Sequence, residues 1–259
     1  MEILRKNYIN TTTQIVVNSN TTTAGNILIS DVRFQYSSDN FTSDSTTATM
    51  RINFSQTLSV DRIAIVGHNL KGFRVFYNGA TANVFSLDSA DTTTSYFSSN
   101  SSTSTYLRMS AGVNCTSVSI DMSNTIVANQ NKAIGYLVIS EKRTDFDGRV
   151  TTAQNYRPVL DTQSVVHRLS DGGTRIQTLE DKWNASLSFD FLSNTAKNEL
   201  REIFDDHEEF IFAPFGTTGA WDGVIFPCVW QGGFNFYSFS DNSSDAGYSG
   251  SLNLLEVPT

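Results

Sequence analysis

From Trp183 to Phe191 the chain alternates strictly by two. Trp183, Ala185, Leu187, Phe189 and Phe191 point one way, and Asn184, Ser186, Ser188 and Asp190 point the other. Such a segment is a half-buried strand with one dry face and one wet face. Ser193 or Asn194 then offers an N-cap. Ala196, Leu200, Ile203 and Phe204 follow at i, i+4, i+7 and i+8, the apolar stripe of an amphipathic helix ending near His207. A strand, a short helix and the aromatic return Phe210-Ile211-Phe212 form a fold signature. No other stretch carries an equally clear chemical one.

The remaining length must be strand-rich. The 259 residues suffice for one large or two ordinary domains. Phe 18, Tyr 9 and Trp 3 supply core material, while Pro is only 4 among abundant Ser, Thr and Asn, which favours strands joined by polar turns. A net charge of -8, with only 18 scattered Lys and Arg, argues against a nucleic-acid footprint. No run reaches the ~18 apolar residues of a membrane span, and the N-terminus lacks the apolar centre of a signal peptide. Cys115 and Cys228 lie far apart without a CxxC or histidine partner, so both are expected as ordinary thiols, Cys228 buried. The Asn-x-Ser/Thr matches at Asn10, Asn20, Asn40, Asn53, Asn100, Asn114, Asn184 and Asn242 follow from composition.

Along the first part, strands are expected at 26–29, 31–36, 50–54, 60–66, 73–77, 106–109, 118–122 and 134–139. Asn78-Gly79 gives a hairpin signal, and the Ser/Thr/Asn-rich stretch 89–105 reads as a long surface loop or a weak polar edge. The charged run from Glu141 to Gly148 marks a boundary. Beyond it, 165–169 and 175–179 flank Ser170-Asp171-Gly172-Gly173 as a hairpin, and strands at 210–212, 224–230, 234–236 and 251–257 follow the helix. The expected fold class is mainly β. A jelly-roll-like β-sandwich over residues 1–144 precedes a β-sandwich or split-barrel domain over 145–259, with one helix at about 194–207.

Leu28-Ile29-Ser30-Asp31-Val32-Arg33-Phe34-Gln35-Tyr36-Ser37 and Val60-Asp61-Arg62-Ile63-Ala64-Ile65-Val66-Gly67-His68-Asn69-Leu70 resemble a discoidin-type (galactose-binding-like) module. Modules of this kind with a Val-Gly-His-Asn-Leu-like segment occur in tailed-phage virion proteins. The resemblance covers roughly Ile3 to Glu141, with the polar insertion before Tyr106 as a departure. Leu187-Ser188-Phe189-Asp190-Phe191-Leu192-Ser193, the helix from Thr195 to His207, and Phe210-Ile211-Phe212-Ala213-Pro214-Phe215 are similar in pattern to the ring-forming β-domain of phage distal tail and minor tail proteins. That resemblance covers about Arg149 to Thr259. It implies a ring, typically of six copies, between tail tube and tip, with tape measure and hub proteins as further partners.

Catalytic chemistry is not expected. His68, His167 and His207 lie at no metal-ligand spacing from one another, and no Ser-His-Asp or Cys-His arrangement surrounds them. His68 is expected to fix its turn by hydrogen bonding. His207, beside Asp205, Asp206, Glu208 and Glu209, is expected as a solvated helix end favoured by the helix dipole. Asp145-Phe146-Asp147-Gly148 lacks the downstream ligands of a calcium loop and reads as a linker turn. Neither metal nor cofactor is expected.

Tyr36, Phe41, Asn69 and Phe73 lie on or near expected loops, where rings beside amides suit a sugar. The same rings suit a core or subunit interface better still, and Trp221 could anchor a subunit contact. The expectation is therefore a non-enzymatic virion protein, assembled in the host cytoplasm. It forms a ring at the distal tail or baseplate, with the first domain projecting as a docking or adhesion module. The alternatives are a carbohydrate-binding module for host-surface glycans and a capsid-associated decoration protein.

Overall fold

The computed structural model describes residues 2–4, 7–9, 13–19, 41–43, 48–79, 100–145, 156–168, 173–213, 219–220, 226–238 and 247–257. The chain is mainly β, arranged as antiparallel sheets in a sandwich-like architecture, with one helix among the described residues. It divides into two compact units, one holding most of 4–143 and the other most of 144–212 and 225–258.

In the first unit two long strands dominate: β4 (Ala48–Val66) and β6 (Ser104–Thr125). Each spans what the sequence suggested as two strands. Bulges explain the difference: the β4–β6 register shifts between Asn53 and Leu58 and again between Val60 and Arg62, so the chain bends without leaving the sheet. Each long strand consequently changes neighbours along its length. The first half of β4 pairs with β2 (Gln14–Ser19) and its second half with β8 (Tyr136–Ser140). Likewise β6 pairs near its start with β13 (Gly219–Ala220) and near its end with β5 (Leu70–Tyr77). Strands that switch partners through bulges form the corners of a β-sandwich. Residues from both halves meet in one core, with Met50, Ile52, Phe73, Val118 and Ile120 packed in the same cluster as Ile63, Ile65, Leu107, Leu137 and Ile139. A short pair, β3 (Phe41–Ser43) with β7 (Lys132–Ile134), completes the unit. The strands expected at 26–29 and 31–36 lie outside the described residues.

The second unit is built on a seven-stranded sheet. With β1 (Glu2–Leu4), β9 (Lys142–Asp145), β10 (Tyr156–Arg168), β11 (Thr174–Leu192), β12 (Phe210–Ala213), β14 (Phe226–Ser238) and β15 (Tyr248–Glu256), its order is β10-β11-β15-β14-β12-β1-β9. The charged run expected as a boundary, Glu141 to Gly148, thus contains a strand, β9.

The opening alternation is realised in β11: Ala185, Leu187 and Phe189 are buried, while Ser188 and Asp190 are exposed. Phe191 is a correction. It was expected on the dry face, but it is 43% exposed and Leu192 is buried in its place. A register shift against β15 between Phe189 and Leu192 inserts an extra residue and reverses the alternation.

Helix α1 (Asn194–Asp206) follows directly. Ser193 is its N-cap, with Oγ accepting from the Ala196 amide at 3.2 Å, and His207 closes it in the left-handed region at φ 52°. Leu200 and Ile203 are buried. Phe204 meets Trp230 and Phe234 at 5.5 and 5.6 Å, Phe234 meets Phe236 at 4.7 Å, and Phe236 meets Phe189 at 6.0 Å. The helix therefore seals the dry face of the sheet through a continuous aromatic layer. Gly250 stands between Phe189 and Phe236 in register, and a Cβ there would fall 2.5 Å from the Asn235 carbonyl oxygen and 2.6 Å from the Phe236 ring. Its missing side chain is what lets the two rings approach.

Candidate functional site

His68 is the central residue of the Val-Gly-His-Asn-Leu segment and is buried. Its Nδ1 accepts from the Leu70 amide at 3.1 Å, which assigns the proton to Nε2, and Nε2 lies 2.9 Å from Thr105 Oγ1. Phe73 packs edge-on against the imidazole at 5.4 Å. Burial lowers its pKa to about 4. The ring is therefore neutral at pH 7 with both nitrogens engaged, a turn-fixing role and a poor position for a general base.

Asn69 uses its amide in the same turn. Its Nδ2 donates to the Asn131 carbonyl at 2.6 Å, and its Oδ1 accepts from the Ala133 amide at 2.9 Å. Phe73 is fully buried in the first core. It does not face a ligand, which corrects its place among the contact residues: it lies on β5, whose core face also carries Val75. The backbone of Phe41 pairs with Ile134 in β3–β7. Tyr36 and Trp221 lie outside the described residues. The structure thus brings His68, Asn69 and Phe73 together, as a structural turn.

Both thiols are buried. Desolvation pushes Cys115 up to about 12. Cys228 is raised well above the ordinary thiol value, first by burial and then by the nearby negative charges of Glu256 and Glu209, and its Sγ lies 3.6 Å from the Phe210 carbonyl oxygen. Neither is a poised nucleophile. Among the described residues no group of three or more His, Cys, Asp or Glu is placed to hold a metal ion. Among the described residues no helix is long and apolar enough to cross a membrane.

The feature that sequence reasoning missed is an apolar ribbon. Glu256 ends the β15 pairing, its carboxylate accepting the Trp183 amide at 2.7 Å. Before Trp183, β11 pairs among the described residues only with β10, so residues 159–168 and 174–183 stand as a two-stranded arm. Along it Val159 is 57% exposed, Leu160 48%, Val165 38%, Val166 57% and Ile176 67%. These are five of the eight large hydrophobics exposed among the described residues, so the apolar surface is concentrated in one place. Leu160 is opposite Trp183, and Val166 is opposite Ile176, on the face that continues from Ala185 and Leu187. Val159 and Val165 occupy the other face. The available signal was the pair of doublets Val159-Leu160 and Val165-Val166, which place apolar side chains on both faces of one strand.

Comparison with known proteins returns no matching family and no matching curated relative. Among solved structures, a Ruminococcus gnavus GH29 fucosidase in complex with fucose aligns at TM-score 0.40 and 12% identity, over 52% of this chain and 26% of that one. The Clostridium perfringens protein CpGH89CBM32-6 aligns at TM-score 0.35 and 12% identity, over 52% of this chain and 98% of that one. The mycobacterial arabinofuranosyltransferase AftD aligns at TM-score 0.32 and 8% identity. This chain spans about a quarter of the fucosidase and of AftD, 26% and 25%. Scores this low carry over no residue role and no ligand.

Proposed function

We propose that this chain is a non-enzymatic structural subunit of a tailed-phage virion, at the distal tail or baseplate. Residues 145–259 would form the ring that joins tail tube to tip, and residues 1–144 would project as a docking or adhesion module. The observation that supports this reading best is the second unit's sheet. One part of its dry face is sealed by α1 and the aromatic layer, while the rest runs onto an arm with exposed apolar residues. A surface of that kind suits a subunit that completes itself against neighbours. The sequence pattern of strand, helix and aromatic return supplies the tail assignment.

The test is to locate the chain by antibody labelling and electron microscopy in purified particles, alongside sedimentation of the isolated protein. Labelling at the tail end together with higher-order assemblies supports the reading. A strictly monomeric chain that is missing from purified particles would sink it.

A further inference from the structure

We propose that the edge strand β10 pairs antiparallel with β10 of a second copy, across a two-fold axis at Gln163. This contact requires only the described edge and does not depend on the tail reading. Among the described residues β10 is the outermost strand of the sheet, thirteen residues long and paired on one side by β11. A long, apolar, uncovered edge is a template for another strand. Four of the arm's five exposed hydrophobics, Val159, Leu160, Val165 and Val166, sit on this edge strand and face both ways. A second strand along the free edge engages its outward-facing backbone groups and sets cross-strand neighbours beside these side chains on both faces.

The occupant follows from register. Antiparallel pairing across a two-fold sets residues of equal parity opposite one another, because both copies present the same face on the same side. With the axis at Gln163, Leu160 falls opposite Val166 of the second copy, and the symmetry makes that apolar pair twice. Asp161 falls opposite Val165 and diagonal to His167 of the second copy, so a carboxylate and an imidazole are neighbours on the wet face. Arg168 falls opposite Pro158. No two like charges are directly opposed. A contact about 35 Å long and about 10 Å deep removes roughly 700 Å² in total, below the ~1,200 Å² of lasting complexes. The pair is therefore reversible and concentration-dependent. It closes on itself as a dimer, whereas a ring requires a heterologous contact in addition.

The test uses the full-length chain with Gln163→Cys. Directly opposed Cα atoms lie about 4.5–5.5 Å apart, within disulfide reach, while the two native thiols are buried. Mild oxidation is expected to give a covalent dimer quickly, whereas Ser188→Cys, exposed on the wet face away from this edge, gives one slowly. Sedimentation of the unmodified chain is expected to show a monomer–dimer equilibrium. Val166→Asp, a change at an exposed site, should weaken it at least about tenfold with an unchanged circular dichroism spectrum. The proposal is overturned if Gln163→Cys cross-links no faster than Ser188→Cys, or if Val166→Asp leaves the equilibrium where it was. A ring that persists while Gln163→Cys fails to cross-link would reject this contact and leave the tail reading standing.

Discussion

His68 shows how a residue that looks catalytic in sequence becomes structural once its surroundings are fixed. Its folded pKa of about 4 lies below the ordinary 6.5, so between those values the unfolded chain binds more protons than the folded one. Its contribution is fully present above pH 6.5, is lost as pH falls towards 4, and changes no further below that. The whole window amounts to about 3 kcal/mol. Urea unfolding at pH 7 and pH 4.5 should show a larger loss of stability in the unmodified protein than in His68→Gln, and equal losses would contradict the neutral buried ring. The thiols give a second check at this scale. Cys115 and Cys228 should be silent to a thiol reagent in the native protein, and both should react in denaturant, because burial disfavours each thiolate.

At the scale of elements, the strand–helix junction depends on a few small residues. Gly250→Ala pushes a Cβ against the Asn235 carbonyl and the Phe236 ring, and should lower stability by about 1–3 kcal/mol. Ser193→Ala removes the helix cap and should cost about 1 kcal/mol. Chemical denaturation measures both, and a neutral Gly250→Ala would contradict the close ring packing across β15. The alternation from Trp183 to Phe189 and the helix stripe were legible because each repeats a period that burial enforces. Phe191 was not, because a single bulge reverses the alternation and leaves no mark on residue type. Bulges also hid the unity of β4, β6 and β14. In β14 the register shifts between Gln231 and Asn235, where Gly232 sits at φ 90°. The ends of strands are marked by composition, but a continued strand that bends looks like two.

At the scale of the whole molecule, the sequence carried the mainly-β class and the helix. It also carried the burial of Cys228, since an apolar run around a thiol is a local property. It did not carry the fate of the arm. Val159-Leu160 and Val165-Val166 look like any core doublet, and only the point where β15 stops shows that nothing in the described residues covers them. The surroundings of Asn69 and Phe73 were not legible for a related reason: the carbonyl and amide that engage Asn69 come from residues some sixty positions away, and Phe73 is taken up by a core gathered from several strands. The proposed function rests on assembly of this chain with copies of itself. Sedimentation equilibrium of the full-length protein over a wide concentration range tests it most directly. A mass that rises with concentration to a multiple of the monomer, and falls back in Val166→Asp, is the expected result; a mass fixed at the monomer throughout would contradict it.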